Sequence, residues 1–195
     1  AHAARAADPN ARIVCSSDSA DIRREAIACG ADLAIERPAE LATDTATTAS
    51  VVKHALDTLE STADRVVLLE PSAPFTTWDE YAEALLMMDR LDADLVVGMK
   101  ETSPHPVFIG EQREDASVTP IIIGFQRMAR RRQDFKPTWS MSGGLYVFRR
   151  EMFERTSDIY GGARNFGLMQ SRYSGLEIDT PEDLERVRKV YDSGE

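Results

Sequence analysis

The chain has 195 residues, 43% hydrophobic and 29% charged, the balance of an ordinary globular domain with room for one substantial core. Its formal net charge of −10 argues against a nucleic-acid surface, and no apolar stretch approaches the roughly 20 residues that a membrane span needs. With no signal-peptide pattern either, the expectation is a cytoplasmic protein that engages neither nucleic acid nor membrane.

Ala1–Ala7 reads as the tail of an alanine-rich helix with no strand ahead of it. Ala11–Ser16 reads as a buried strand, followed by a loop around Ser17-Asp18-Ser19, where Asp18 either faces a ligand or only shapes the turn. Ile22–Cys29 has helical spacing and stops at Gly30, and Ala31–Ile35 is a second short strand. Thr47–Leu59 is a helix with Val51, Val52, Ala55, Leu56 and Leu59 on one face, inside which His54 reads as structural. Arg65–Leu69 is too short and too apolar for a helix, so it reads as a central strand. Trp78–Leu91 is helical and Ala93–Met99 is a strand.

The alternation breaks at Thr102-Ser103-Pro104-His105-Pro106, where two prolines interrupt any regular element. Val107–Gly110 and Thr119–Gly124 suggest hairpin-like or edge strands. Leu145–Phe148 returns to strand, Arg150–Arg155 is a short helix, and Tyr173–Ile178 reads as a last strand. Thr180 caps the final helix, with Pro181 in its first turn. Strands alternating with helices predict a doubly wound α/β sheet in a single domain carrying an inserted arm. Such a nucleotide-binding sheet normally opens with a strand and a phosphate-binding turn, so a leader of that kind is expected to be missing ahead of Ala1. Cys15 and Cys29 lack metal-type spacing and read as buried thiols.

Several polar loops at strand ends carry chemistry. Glu177 and Asp179 stand two apart at the end of an apolar run, so on a strand their carboxylates would converge as a Mg²⁺ pair. The competing reading is a plain helix start, with acidic residues favoured by the dipole. Arg132 ends the densest basic cluster, with Arg127, Arg130 and Arg131, and reads either as a solvated arginine or as a holder of one small anion. Arg37 precedes the Thr-rich Asp44–Thr48 loop, whose helix start offers N–H groups and hydroxyls to a base or ribose, or is simply capped by Asp44 or Thr45.

Four segments occur in a telling order. They are Arg37-Pro38-Ala39-Glu40-Leu41-Ala42-Thr43-Asp44-Thr45 and Leu68-Leu69-Glu70-Pro71-Ser72-Ala73-Pro74, then Arg131-Arg132-Gln133-Asp134 running into Ser142-Gly143-Gly144-Leu145-Tyr146-Val147-Phe148, and last Glu177–Leu184. In this order the chain resembles the CMP-sialic acid synthetase (acylneuraminate cytidylyltransferase) family over nearly all of its length. The resemblance implies a Rossmann-like, mostly parallel sheet in one nucleotidyltransferase domain over 1–195, with a dimerisation arm at about 102–138 and a homodimer. It implies transfer of CMP from CTP to a sialic-acid-like (nonulosonic or ketodeoxy) sugar, with release of pyrophosphate and help from Mg²⁺.

By the same resemblance Glu177 and Asp179 fall on the family's Asp-x-Asp metal motif and would serve as catalytic metal ligands. Arg37, Ala46 and Thr48 would bind the nucleotide, and Arg132, Tyr146 and Glu70 would position the sugar, with Arg132 able to serve a neighbouring protomer. His105-Pro106 matches the family's His-Pro turn. The family's basic triphosphate loop has no counterpart here. Other departures gather at sugar-pocket positions: Glu70 stands for a Gln, Phe108 for a Lys, and Ser140 and Ser142 for an Arg and an Asn. The pocket loses two cations and gains an anion, which shifts acceptor preference by orders of magnitude at roughly 1.5–3 kcal/mol per charged hydrogen bond. A non-carboxylated sugar, or a non-catalytic binding module, is the alternative.

Overall fold

Apolar runs become strands here wherever helices can cover both of their faces. The computed structural model describes residues 2–121 and 135–194. It begins with α1 (His2–Ala7), β1 (Val14–Ser17), α2 (Ala20–Ala28) and β2 (Leu33–Glu36), then α3 (Thr48–Leu59), β3 (Arg65–Leu68), α4 (Trp78–Leu91) and β4 (Leu95–Glu101). β5 (Gly110–Gln112) and β6 (Val118–Pro120) follow, then β7 (Trp139–Arg149), α5 (Arg150–Thr156), β8 (Asn165–Met169) and α6 (Pro181–Ser193). Among the described residues no helix is long and apolar enough to cross a membrane.

β3, β4 and β8 share one direction, and β7 runs against them between β3 and β4, giving the order β3-β7-β4-β8. β1 and β2 form a separate parallel pair. The side chains alternate across the central sheet as a pleated strand requires. Val96, Leu145 and Val147 point to one face, against Tyr81, Ala84, Met87 and Met88 of α4, with Ala3 and Ala7 of α1 behind them. Leu95, Val97 and Phe148 point to the other, against Val52 of α3, Met152 and Phe153 of α5, and Ile159. Both faces of β4 and β7 are therefore covered, which is why their sequences lack a polar alternation. The three-layer, Rossmann-like α/β sheet expected from the sequence is present.

Several local expectations need correction. Val107 and Phe108 are not strand but a 3₁₀ turn, Pro106–Phe108, started by Pro106 and capped by His105 Nδ1, which accepts from the Val107 N–H at 3.2 Å. Tyr173–Ile178 is not a strand: its first three residues turn, with Leu176 N–H donating to the Tyr173 carbonyl, the rest is irregular, and the last strand is Asn165–Met169 instead. That strand alternates exposed and half-buried residues, and its apolar Phe166 and Leu168 reach only one core face. α3 is capped by Thr47, whose hydroxyl accepts from Ser50 N–H, rather than by Asp44 or Thr45. Cys29 is exposed and Cys15 only partly buried, because α2 has no buried residue. Residues 122–124 of the expected Thr119–Gly124 strand lie outside the described residues.

The arm is closed at its root. Thr102 N–H donates to the Thr138 carbonyl at 2.8 Å, and the two threonine hydroxyls bond each other. β5 and β6 pair as an antiparallel hairpin within it.

Candidate active site

Strand ends place the polar side chains. Arg37 follows β2, and its guanidinium donates to the Ser16 carbonyl at 2.5 Å, which ties it to the end of β1. Glu70 follows β3 and is half-buried; burial pushes its carboxyl up, while the nearby Arg37 charge pulls it down by a smaller amount. Tyr146 lies in β7 opposite Leu68, two residues from Glu70. Its hydroxyl is pushed well above the usual phenol range, first by burial, then by a hydrogen bond with Tyr160 and by the charges of Glu70 and Glu177. The Tyr146 and Tyr160 rings meet edge to face at 6.3 Å. Arg37, Glu70, Tyr146 and Glu177, four residues singled out by sequence, thus form a chain of neighbours: Arg37 acts on Glu70, and Glu70 and Glu177 act on Tyr146.

The segment carrying Glu177 is pinned to the same place. Ile178 N–H donates to the Ser72 carbonyl at 2.9 Å, in the loop that holds Glu70. Glu177 Oε1 accepts from Lys100 Nζ at 2.7 Å and from Gly143 N–H at 2.8 Å. The Gly143 donor is free for this because the β4–β7 ladder slips: Val97 faces Tyr146, but Met99 already faces Met141, so β7 bulges between them. Burial alone would raise the Glu177 carboxyl, but the Lys100 and Gly143 hydrogen bonds together with the Lys100 charge outweigh it and hold it below its ordinary value.

Other candidates are placed differently. Ser142 is fully buried, its hydroxyl bonded to the Gln170 side chain, so it braces the sheet from inside. Asp179 is exposed, its side chain has no hydrogen bond or ion pair among the described residues, and its N–H donates to the Asp183 carboxylate. Ala46 and Thr48 flank the Thr47 cap at the start of α3. Phe108 sits in the arm against His105 and Phe135, and no hydrogen bond, ion pair or ring contact among the described residues joins it to the Tyr146 group. Arg132 lies outside the described residues.

Two participants have no sequence signal. Lys100 lies just past the apolar run of β4, and Tyr160 sits in a turn without periodicity. Two open concavities lie elsewhere. A furrow of about 490 Å³ runs along α6 alone, and one of about 370 Å³ at the arm root is lined by His105, Phe135 and Thr138. The first is the flank of a single helix, so chemistry rather than concavity marks the site.

The resemblance implies magnesium, and the two expected ligands fit it unequally. Glu177 and Asp179 do not sit on a strand, so the geometric reason for their convergence is gone. Glu177 is already committed to an ammonium and an amide. Asp179 fits, since Mg²⁺ often takes one or two carboxylates together with substrate phosphates. No group of three His, Cys, Asp or Glu side chains suited to a metal occurs among the described residues.

The architecture defines the class first. The chain superposes on CMP:2-keto-3-deoxy-manno-octonic acid synthetase complexed with CTP at a TM-score of 0.64 and 15% identity, covering 100% of this chain and 87% of that one. It superposes on the 4-diphosphocytidyl-2C-methyl-D-erythritol synthase of Anaerococcus prevotii at 0.64 and 12% identity, covering 92% and 77%. The fold is that of the cytidylyltransferases.

Sequence similarity then narrows the comparison, although no protein-family model matches the chain. It is 25% identical over 175 residues to the N-acylneuraminate cytidylyltransferase of Streptococcus agalactiae serotype V, covering 90% of this chain and 41% of that protein. It is 24% identical over 180 residues to the post-translational flagellin modification protein B of Campylobacter coli, covering 90% and 74%. The resemblance read from the four segments is matched by these relatives. The chain spans about two fifths of the length of the streptococcal relative.

Proposed function

We propose that the chain carries a cytidylyltransferase activity that joins CMP from CTP to a sialic-acid-like sugar and releases pyrophosphate. The observation that carries this reading is the convergence of the Glu70, Tyr146 and Glu177 segments, joined by the Leu68–Tyr146 pairing and the Ile178–Ser72 hydrogen bond, with Arg37 near Glu70 and all in the family's order. Arg37 and the start of α3, with Ala46 and Thr48, hold the nucleotide through a cation, the helix N-terminus and a hydroxyl. Tyr146 and Glu70 orient the acceptor so that its hydroxyl meets the α-phosphate in line, which supplies rate by positioning. The exposed carboxylate of Asp179 would help to hold a Mg²⁺ ion together with the triphosphate, and that ion would supply charge neutralisation of the phosphates. The same reading pairs two copies through the arm, where Phe108, Ile109, Val118 and Ile121 are exposed.

A second reading has its own support. Two carboxylates, Glu70 and Glu177, act on the Tyr146 hydroxyl, and an acceptor without a carboxylate meets less repulsion there. Pyrophosphate release from CTP and Mg²⁺, measured over a panel of nonulosonic, ketodeoxy and neutral sugars, separates the two. Release with a sugar acid, lost by about a hundredfold or more in Asp179→Ala, is the expected result. Release only with neutral or amino sugars transfers the reading to the second class, and release with none rejects both.

A further inference from the structure

We infer that Lys100 is the built-in counter-ion of Glu177, a positioning residue that keeps this carboxylate off any metal and leaves Asp179 alone to meet a divalent cation. The cation part rests on the cytidylyltransferase reading; the ion pair stands without it.

The seat for this pair is built from four sides. Glu177 Oε1 takes both the Lys100 ammonium at 2.7 Å and the Gly143 N–H at 2.8 Å, so its acceptor positions are filled. The other oxygen, Oε2, would lie 3.1 Å from a Cβ added at Gly143, so it is turned against the strand backbone. Across the pair, a Cβ at Gly175 would stand 3.1 Å from Lys100 Cβ, and Lys100 Nζ also reaches the Gly175 carbonyl at 3.4 Å. Side chains at either glycine would crowd one member of the pair, and the two glycines leave the room it occupies.

Mg²⁺ demands near-octahedral oxygen ligation and gives up its water reluctantly. A carboxylate with one oxygen doubly engaged and the other facing backbone offers it little. A divalent ion there would also stand beside a fixed ammonium of the same sign. Asp179, two residues on, has an exposed carboxylate without a partner among the described residues. Glu177 instead fastens the turn segment after β8 to β4 and β7, at the point where the β7 bulge frees an amide.

Two measurements test the assignment. The first needs no nucleotide: amide hydrogen exchange at Gly143 in the full chain. Lys100→Met is expected to speed it by about tenfold or more, with Lys100→Arg restoring it to within about threefold. Should Lys100→Met fail to fold, Glu177→Gln reads the same pair from its other side. The second is Mn²⁺ binding in the presence of CTP, followed by electron paramagnetic resonance. Glu177→Gln should stay within about twofold of the parent, Asp179→Asn should weaken Mn²⁺ by about tenfold or more, and Lys100→Met should tighten it by freeing Glu177. Unchanged Gly143 exchange in Lys100→Met, or a tenfold loss of Mn²⁺ affinity in Glu177→Gln, overturns the assignment. If the parent protein takes up no Mn²⁺ with CTP, the nucleotide reading fails and the exchange result alone decides the ion pair.

Discussion

Glu70 carries a charge in a half-buried position, with Arg37 as a partial offset, and that arrangement has a definite pH signature. Its folded pKa lies above the ordinary value of 4.5, so the folded protein holds this proton more tightly than the unfolded chain does. Below the unfolded value the residue costs nothing. As pH rises through the folded value, ionisation removes stability. Glu70→Gln should therefore raise the urea midpoint relative to the parent at about pH 7.5 and leave it nearly unchanged at about pH 4. A gain of equal size at both pH values would reject buried ionisation as the cause. Gly144 makes a second residue-scale case. An added Cβ would stand 2.9 Å from that of Ala73, and its carbonyl already accepts from the Thr76 and Tyr81 hydroxyls. Gly144→Ala should cost about 1–3 kcal/mol in urea unfolding through overpacking.

Single helices and strands differ in how far local sequence decides them. α4 begins with a capping box in which Thr77 accepts from Glu80 N–H and the Glu80 carboxylate accepts from Thr77 N–H. Its bounds were legible because cap, apolar spacing and end all agree. Glu80 has a second task, since its carboxylate also accepts from Ser171 N–H at 3.2 Å and holds the turn after β8. Glu80→Ala should cost about 1–2 kcal/mol and raise amide exchange at Ser171 as well as at Thr77, whereas a cap acting alone would affect only Thr77. β7 and β8 were less legible. The sequence marked only Leu145–Phe148 as strand, yet β7 starts at Trp139 because Met99–Glu101 of β4 pair with Trp139–Met141, with Ser142–Gly144 inside the slip. Asn165–Met169 becomes a strand through parallel pairing with β4, a contact set by residues about seventy positions away. Tyr173–Ile178 has the composition of a strand, yet it is fastened by single hydrogen bonds, such as Ile178 N–H to the Ser72 carbonyl, and enters no strand ladder among the described residues.

For the whole molecule, the core follows from apolar runs that both helical layers cover, and this part was readable from strand–helix order. Met88 is fully buried among Tyr81, Val96 and Val147 in the α4 layer. Met88→Ala should cost about 2–5 kcal/mol, measured by urea unfolding; a loss below about 1 kcal/mol would mean that this layer closes around the gap. The site was half legible. Arg37, Glu70 and Tyr146 were visible because strand ends and segment order marked them. Lys100, Tyr160 and the burial of Ser142 were hidden, because each depends on a three-dimensional neighbour: Glu177, Tyr146 and Gln170 respectively.

The slip in the β4–β7 ladder gives the molecule a joint. On one side of it β7 pairs with β4 and β3 inside the core; on the other it pairs with Met99, Lys100 and Glu101 and runs back into the closed root of the arm. Each side holds its own register, so the buried rungs and the rungs next to the arm root are separate ladders. The Glu177 carboxylate sits on the axis of that joint, through Gly143. Lys100 of β4 and Gly143 of β7 thus meet on one carboxylate oxygen, so a single side chain clasps both strands where the ladder changes register.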